Sequence, residues 1–211
     1  MSKRFSGLYA VTPELTDTAA LLGKVDAALR GGTRVIQYRN KSIDESLRRA
    51  QAVGIAQLCR NWQALFIVND SVGLAREIDA DGVHLGKEDR NILAARAMLG
   101  PDTLIGVSCY NEIGRARAAV SQGADYVAFG SFFPSATKPN ALRADTDLLR
   151  VAASEIALPV VAIGGITEDN AAGLIAAGAD AVAVVKSLFD ATDVEAQARR
   201  FTRLFQMHIN S

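Results

Sequence analysis

Eight short apolar segments, separated by stretches of helical periodicity, leave this chain few folds to choose from. They are GLYAVT (Gly7–Thr12), VIQYRN (Val35–Asn40), LFIVND (Leu65–Asp70), DGVHLG (Asp81–Gly86), LIGVSC (Leu104–Cys109), YVAFGS (Tyr126–Ser131), VVAIGG (Val160–Gly165) and AVAVVK (Ala181–Lys186). Each is apolar at most positions, as in strands covered on both faces. Charged-faced helical periodicity fills the intervals, as at Asp44–Arg60, Arg90–Leu99, Glu112–Gln122 and Glu168–Ala177, and a last helix is expected over Val194–Met207. Every second segment is preceded by a small-residue helix end: RGGTRV, IDADGV, QGADYV and AAGADAV. Glycine at such an end tolerates the left-handed backbone. The recurrence suggests a repeated β-α-β-α unit. The expected fold is an α/β (β/α)8 TIM barrel, one domain over residues 1–211. An open doubly wound sheet fits less well, because the first segment ends in Thr12-Pro13 rather than a glycine-rich turn. The one long connection is Phe132–Asp145, of a length that is usually functional or mobile.

Charge excludes some partners. Lys plus Arg number 23 and Asp plus Glu number 23, a formal net charge of zero. Such a chain exerts no long-range pull on nucleic acid or an anionic membrane, and neither is expected as a partner. Anion recognition must come from local clusters. No apolar run approaches the ~20 residues that span a bilayer. The start, MSKRFSGLYAVT, is basic but lacks a long apolar stretch and a cleavage site, so no signal peptide is expected. Cys59 and Cys109 make no disulfide framework, and the cytoplasm is the expected location.

In a barrel of this kind the C-terminal strand ends share one rim, where the active site lies. The second segment brings Gln37, Arg39 and Lys41 there, and the third brings Asn69 and Asp70. Asp89 follows the fourth and Ser108 lies in the fifth. The loop after the sixth carries Ser135, Thr137, Lys138 and Arg143, the seventh ends in Gly164-Gly165, and the eighth ends in Lys186. Arg39, Lys41 and Lys138 suit phosphate oxygens. Gln37 and Arg39 alternate and so point to the same side. Asp70 and Asp89 are hard oxygen donors of the kind Mg²⁺ takes, one or two at a time, beside substrate phosphates. A diphosphate with Mg²⁺ accounts for cations and acids together. Gly164-Gly165 before a helix offers backbone N–H groups to a second phosphate. Two anion sites on one rim suggest two phosphorylated small-molecule substrates.

Plainer roles stand beside these. Asp70 and Asp89 each also suit a helix cap, and Gly164-Gly165 a simple turn. His84 suits a filled core or a supporting role behind the site, and Cys109 a small buried residue. His208 lies in the terminal tail, while Trp62 and the Arg48-Arg49 pair suit packing and a solvated face.

The segments GLYAVT, VIQYRNK, FIVNDSVGLAREIDADGVHLGKED, IGVSCYN, GADYVAFGSFFPSATKP, PVVAIGGIT and GADAVAVV resemble the thiamine-phosphate synthase family, in the family's order and over nearly the whole chain. The resemblance implies joining of 4-amino-5-hydroxymethyl-2-methylpyrimidine diphosphate to 4-methyl-5-(2-phosphoethyl)thiazole with Mg²⁺, through a cation-like pyrimidine, releasing diphosphate. It implies that Gln37, Arg39, Lys41, Asn69, Ser108 and Lys138 hold the pyrimidine diphosphate, Arg39 and Lys138 being catalytic. It places Mg²⁺ on Asp70 and Asp89. Ser135, Thr137, Gly165, Val185 and Lys186 would hold the thiazole phosphate. Asn40 stands where Glu is frequent in the family, Cys109-Tyr110-Asn111 where a His-containing triplet is frequent, Ser135 where Thr is usual, and Lys186 where Ser is common. A thiazole tautomerase of similar fold and a non-catalytic binder of thiamine precursors are the competing readings. The tautomerase would need neither a diphosphate pocket nor Mg²⁺.

Overall fold

A computed structural model describes residues 5–86, 91–134 and 143–209. The eight apolar segments form strands β1 (Gly7–Val11), β2 (Val35–Tyr38), β3 (Leu65–Asn69), β4 (Gly82–Leu85), β5 (Leu104–Tyr110), β6 (Tyr126–Phe129), β7 (Val160–Ile163) and β8 (Ala181–Val184). They pair in parallel and close into a barrel in chain order, β1 against β8. Between them run α1 (Thr18–Arg30), α2 (Glu45–Trp62), α3 (Val72–Glu77), α4 (Ile92–Leu99), α5 (Ile113–Ser121), α6 (Thr146–Glu155) and α7 (Glu168–Ala176). After β8 come α8 (Lys186–Phe189) and α9 (Val194–Ile209).

Several strands stop short of the polar residue that ends the apolar run. The most consequential case is Lys186, expected at a strand end: β8 stops at Val184 and Lys186 opens α8, exposed. The apolar run continues into this short helix, where Leu188 and Phe189 are buried, so hydrophobicity alone did not mark the boundary.

The glycine echo has a backbone cause, with one correction. Gly32, Gly123 and Gly178 take positive φ before β2, β6 and β8. Before β4 the left-handed residue is Asp79, not a glycine. Gly82 instead permits close packing, since a Cβ there would sit 2.6 Å from the Leu104 carbonyl oxygen. Left-handed residues also precede β3 (Gln63) and β5 (Gly100), so the device is not confined to even strands.

The aspartates of these echoes close the N-terminal end of the barrel. Asp81, Asp125 and Asp180 accept from the N–H groups of Phe66, Ile105 and Val160, at 2.8, 2.7 and 2.8 Å. Each thus pins the start of the preceding odd strand, at the N-terminal face where barrel residues serve stability.

Two apolar layers follow from the alternation of side chains along each strand. One fills the gap between strands and helices, with Leu21, Ile55, Leu149, Leu174 and Phe201 among its buried members. The other fills the barrel itself, from Phe5, Tyr9, Val11, Val35, Ile67, Tyr126, Ala128, Val161, Ala181 and Ala183. Tyr126 occupies this interior because β5 carries Gly106 opposite it, where a Cβ would lie 1.9 Å from the phenol ring.

Candidate functional site at the C-terminal rim

Beneath the rim lies a polar floor built from inward-facing strand residues. Gln37 Nε2 donates to the Tyr9 hydroxyl at 2.6 Å. Tyr9 and Tyr126 hydroxyls lie 2.9 Å apart. The Tyr126 hydroxyl is 3.0 Å from His84 Nδ1, and His84 Nε2 is 2.9 Å from Ser108 Oγ. Five residues from β2, β1, β6, β4 and β5 thus form one chain of hydrogen bonds across the barrel. Burial pushes the Tyr9 and Tyr126 hydroxyls well above the usual phenol range and lowers His84 to about 4. All three are neutral at pH 7, as buried groups tend to be. His84 therefore fills the supporting role expected of it, and Cys109 is fully buried.

Asp70 stands directly above this floor. Its φ is 60°, a left-handed value that Asp tolerates better than most residues. Its N–H donates to the His84 carbonyl at 2.9 Å, Oδ1 accepts from the Gly86 N–H at 3.2 Å, and Oδ2 accepts from Asn69 Nδ2 at 2.5 Å. Asp70 does not cap α3: that cap is Ser71, whose Oγ accepts from the Leu74 N–H. The α4 cap is likewise Asn91, accepting from the Ala94 N–H. Capping thus falls to other residues at both helix starts. Asp89, Ser135, Thr137 and Lys138 lie outside the described residues.

Arg39 continues β2 outward, and its guanidinium meets Glu14 at 2.7 Å. Its N–H donates to Thr12 Oγ1 at 3.0 Å, tying β2 to the end of β1. Lys41 is exposed in the loop beyond. Asn40 shapes that loop: Oδ1 accepts from the Ser42 N–H at 2.7 Å and Nδ2 donates to Gln51 at 3.0 Å.

On the opposite side the β6 loop folds over the end of β7. Phe132 and Phe133 N–H groups donate to the Ile163 and Gly164 carbonyls. A Cβ at Gly164 would lie 2.1 Å from Ser131 Oγ, and one at Gly165 2.4 Å from the Pro134 carbonyl oxygen. Both glycines also have positive φ, so close approach and turn geometry demand them together. The β7–β8 register ends with Ile163 paired to Ala183, just before Gly164-Gly165 and Val184-Val185. Ser187 Oγ donates to the Ile166 carbonyl at 2.6 Å and ties α8 to this turn. Arg143 is exposed at the returning end of the β6 loop.

A barrel of this shape serves many chemistries, so kinship decides among them. The sequence profile of thiamine monophosphate synthase matches residues 8–188. A thiamine-phosphate synthase of Methylobacillus flagellatus is 57% identical over 199 residues, covering 94% of this chain and 95% of the relative. One from Thiobacillus denitrificans is 56% identical, covering 94% of each. The thiamine phosphate pyrophosphorylase of Pyrococcus furiosus superposes with a TM-score of 0.87 at 34% identity, over 97% of this chain and 98% of that one. The chain belongs to the thiamine monophosphate synthase family.

The residues expected of a thiamine monophosphate synthase family member fall in two regions of the barrel. Arg39, Lys41, Asn69 and Asp70 lie at or beyond the ends of β2 and β3, with Gln37 and Ser108 inside β2 and β5 on the floor beneath. Gly165, Val185 and Lys186 lie at the ends of β7 and β8. Sequence reasoning missed Tyr9 and Tyr126, which resemble ordinary core aromatics until the barrel closes. It also missed Glu14, the partner of Arg39, and Ser187. A signal for the tyrosines was present: Tyr9, Gln37, His84 and Tyr126 all fall on inward-facing positions of their strands.

Proposed function

We infer that this chain is a thiamine-phosphate synthase, a transferase that joins the pyrimidine diphosphate to the thiazole phosphate and releases diphosphate. The observation that carries this reading is the match to thiamine-phosphate synthases over the whole barrel. It is supported by a rim that holds each residue type the reaction needs. The bond from the pyrimidine CH₂ carbon to the diphosphate oxygen breaks, and a bond from that carbon to the thiazole nitrogen forms. The pyrimidine amino group supplies electron density to the carbon as the leaving group departs, so no strong protein base is required. The enzyme's tasks are to stabilise the leaving charge and to align the nucleophile.

Residue roles follow from chemistry and position. Arg39, Lys41 and Lys138 bind the diphosphate, and Arg39 and Lys138 stabilise the charge that develops on it. Gln37, Asn69 and Ser108 hold the pyrimidine end. Ser135, Thr137, Gly165, Val185 and Lys186 hold the thiazole phosphate. Lys186 brings a cation where a family Ser is common.

Asp70 suits Mg²⁺. Its carboxylate is a hard donor, half-buried at the rim and aimed by Gly86 and Asn69. Among the described residues no group of three or more His, Cys, Asp or Glu side chains gathers. Mg²⁺ asks for no such cage, because it completes its shell with substrate oxygens and water. Asp70 and Asp89 would hold it, and when bound it would neutralise charge on the diphosphate. Among the described residues no helix is long and apolar enough to cross a membrane. The proposed location is the cytoplasm.

The test is one incubation with both substrates and Mg²⁺, followed by chromatography for thiamine phosphate. Wild type should form it. Asp70→Asn and Lys138→Ala should each form it about 100-fold more slowly, the usual loss for one preorganised charge-stabilising group. No product from wild type, with or without metal, would sink the reading.

A further inference from the structure

With every proton of the chain used once, the Gln37 amide sets a direction for the hydrogen bonds across the barrel floor. Gln37 presents its amide nitrogen to Tyr9, so the Tyr9 oxygen accepts there. The Tyr9 proton is then available to Tyr126, 2.9 Å away. Tyr126, having accepted, directs its own proton to His84 Nδ1 at 3.0 Å. A neutral imidazole has one ring proton, and an acceptor at Nδ1 places it on Nε2. Nε2–H therefore donates to Ser108 Oγ at 2.9 Å, and the Ser108 proton is directed away from His84. The two ends thus emerge with opposite character. Gln37 Oε1 is an acceptor on the β2 side, and the Ser108 hydroxyl is a donor on the β5 side.

We propose that Tyr9, Tyr126 and His84 are positioning residues that fix Gln37 as acceptor and Ser108 as donor toward a heteroaromatic ring lying on the floor. A 4-aminopyrimidine is such a ring, because its amino N–H groups donate and its ring nitrogens accept. The choice of ring rests on the functional reading above; the direction of the chain does not. The links from Gln37 through Tyr9 and Tyr126 to His84 are buried, and water is a poor substitute for them; the His84–Ser108 link is part-buried. Reversing one link without leaving a buried proton unpaired would require reversing the others, which couples two contacts on opposite sides of the barrel. Tyr126 is built in for this purpose at the expense of its neighbour, since Gly106 leaves no room for a side chain beside it. A phenylalanine would fill the same space without carrying the direction.

The direct test is the ¹⁵N spectrum of the imidazoles in uniformly labelled wild-type protein, with a His208→Gln variant to assign the two histidines. His84 should show a protonated, pyrrole-type Nε2 and a bare, pyridine-type Nδ1. The opposite tautomer, or an imidazolium, would overturn the proposal whether or not the protein is active. The second test is kinetic. Tyr126→Phe should lower kcat/KM for the pyrimidine substrate about tenfold, the usual worth of one hydrogen bond. The KM for the thiazole substrate should stay unchanged. In a Ser108→Ala background the same substitution should lose much less, because its effect passes through Ser108. Equal losses in both backgrounds would assign Tyr126 a packing role only. Tyr9→Phe should reproduce the selective loss through Gln37, and an equal rise in both substrates' KM would contradict it. A wild type without activity but with the expected His84 tautomer would reject the functional reading and leave the floor's direction standing.

Discussion

His84 shows how much one buried residue ties together. Its backbone carbonyl accepts from Asp70, its two ring nitrogens link Tyr126 to Ser108, and its ring lies at a stacking angle of 30° to Tyr126. Burial lowers it to about 4 from an ordinary 6.5. As pH falls, the unfolded chain takes up this proton near 6.5 and the native protein only near 4. The stability His84 contributes is thus full above about pH 6.5 and is lost as pH falls from there toward 4. The full difference is on the order of 3 kcal/mol. Urea unfolding at pH 7 and pH 4.5 should show a larger loss in wild type than in His84→Gln; identical losses would show that His84 is not held neutral. At this scale the sequence revealed the polar ends and hid their support. Asn69, Asp70 and Ser108 end apolar runs and so stand out. Tyr9 and Tyr126 meet only because β1 and β6 face one another across a closed barrel, and a linear pattern does not contain that proximity. Asp70 and its neighbour Ser71 offer the reverse case. Both are natural caps by type, and only the backbone geometry assigns the cap to Ser71 and leaves the Asp70 carboxylate accepting from Gly86 and Asn69.

Among elements, the strands were legible and the short connections were not. Period and apolarity identify β1 to β8 because both faces are covered. The four-residue α8 escaped because its apolar residues continue the run of β8, which moved Lys186 from a strand end to a helix start. The repeated small-residue segments were visible as an echo, but their aspartates acquired a meaning only from the fold. Asp81, Asp125 and Asp180 each accept from the first turn-in of a neighbouring strand, at the end of the barrel opposite the rim. Removing such an acceptor leaves a part-buried N–H without its partner, at a cost of about 2 kcal/mol. Asp180→Ala should therefore lower Tm by roughly 5 °C, while kcat for the joining reaction stays at the wild-type value. A lost kcat with unchanged Tm would place Asp180 in the site and contradict the assignment of the barrel's N-terminal end to stability. α9 closes the other side. Gly31 at the end of α1 lets it approach, since a Cβ there would lie 2.4 Å from the Ala198 Cβ.

As a whole, the molecule carries no net charge and concentrates its chemistry at one end. The closed barrel brings residues from distant parts of the chain onto one rim, so a neutral chain can hold the proposed anion site without long-range attraction. Arg39, held in place by Glu14, and Asp70, aimed by Gly86 and Asn69, stand on a floor that is polar yet uncharged. Cations alone would suit any phosphate; cations with a carboxylate suit a phosphate that arrives with a divalent ion. The fold and the strand order were foreseeable from residue types and spacing. The left-handed turn at Asp70 and the crowding that requires Gly164 and Gly165 were not, because they depend on backbone meeting backbone. The most direct measurement of the proposed Mg²⁺ bridge at the rim is calorimetric titration of the pyrimidine diphosphate into the protein with and without Mg²⁺, for wild type and Asp70→Asn. Wild type should bind at least tenfold more tightly with Mg²⁺, a difference of about 1.4 kcal/mol, and Asp70→Asn should lose that enhancement. Equal affinity with and without Mg²⁺ in wild type would contradict it.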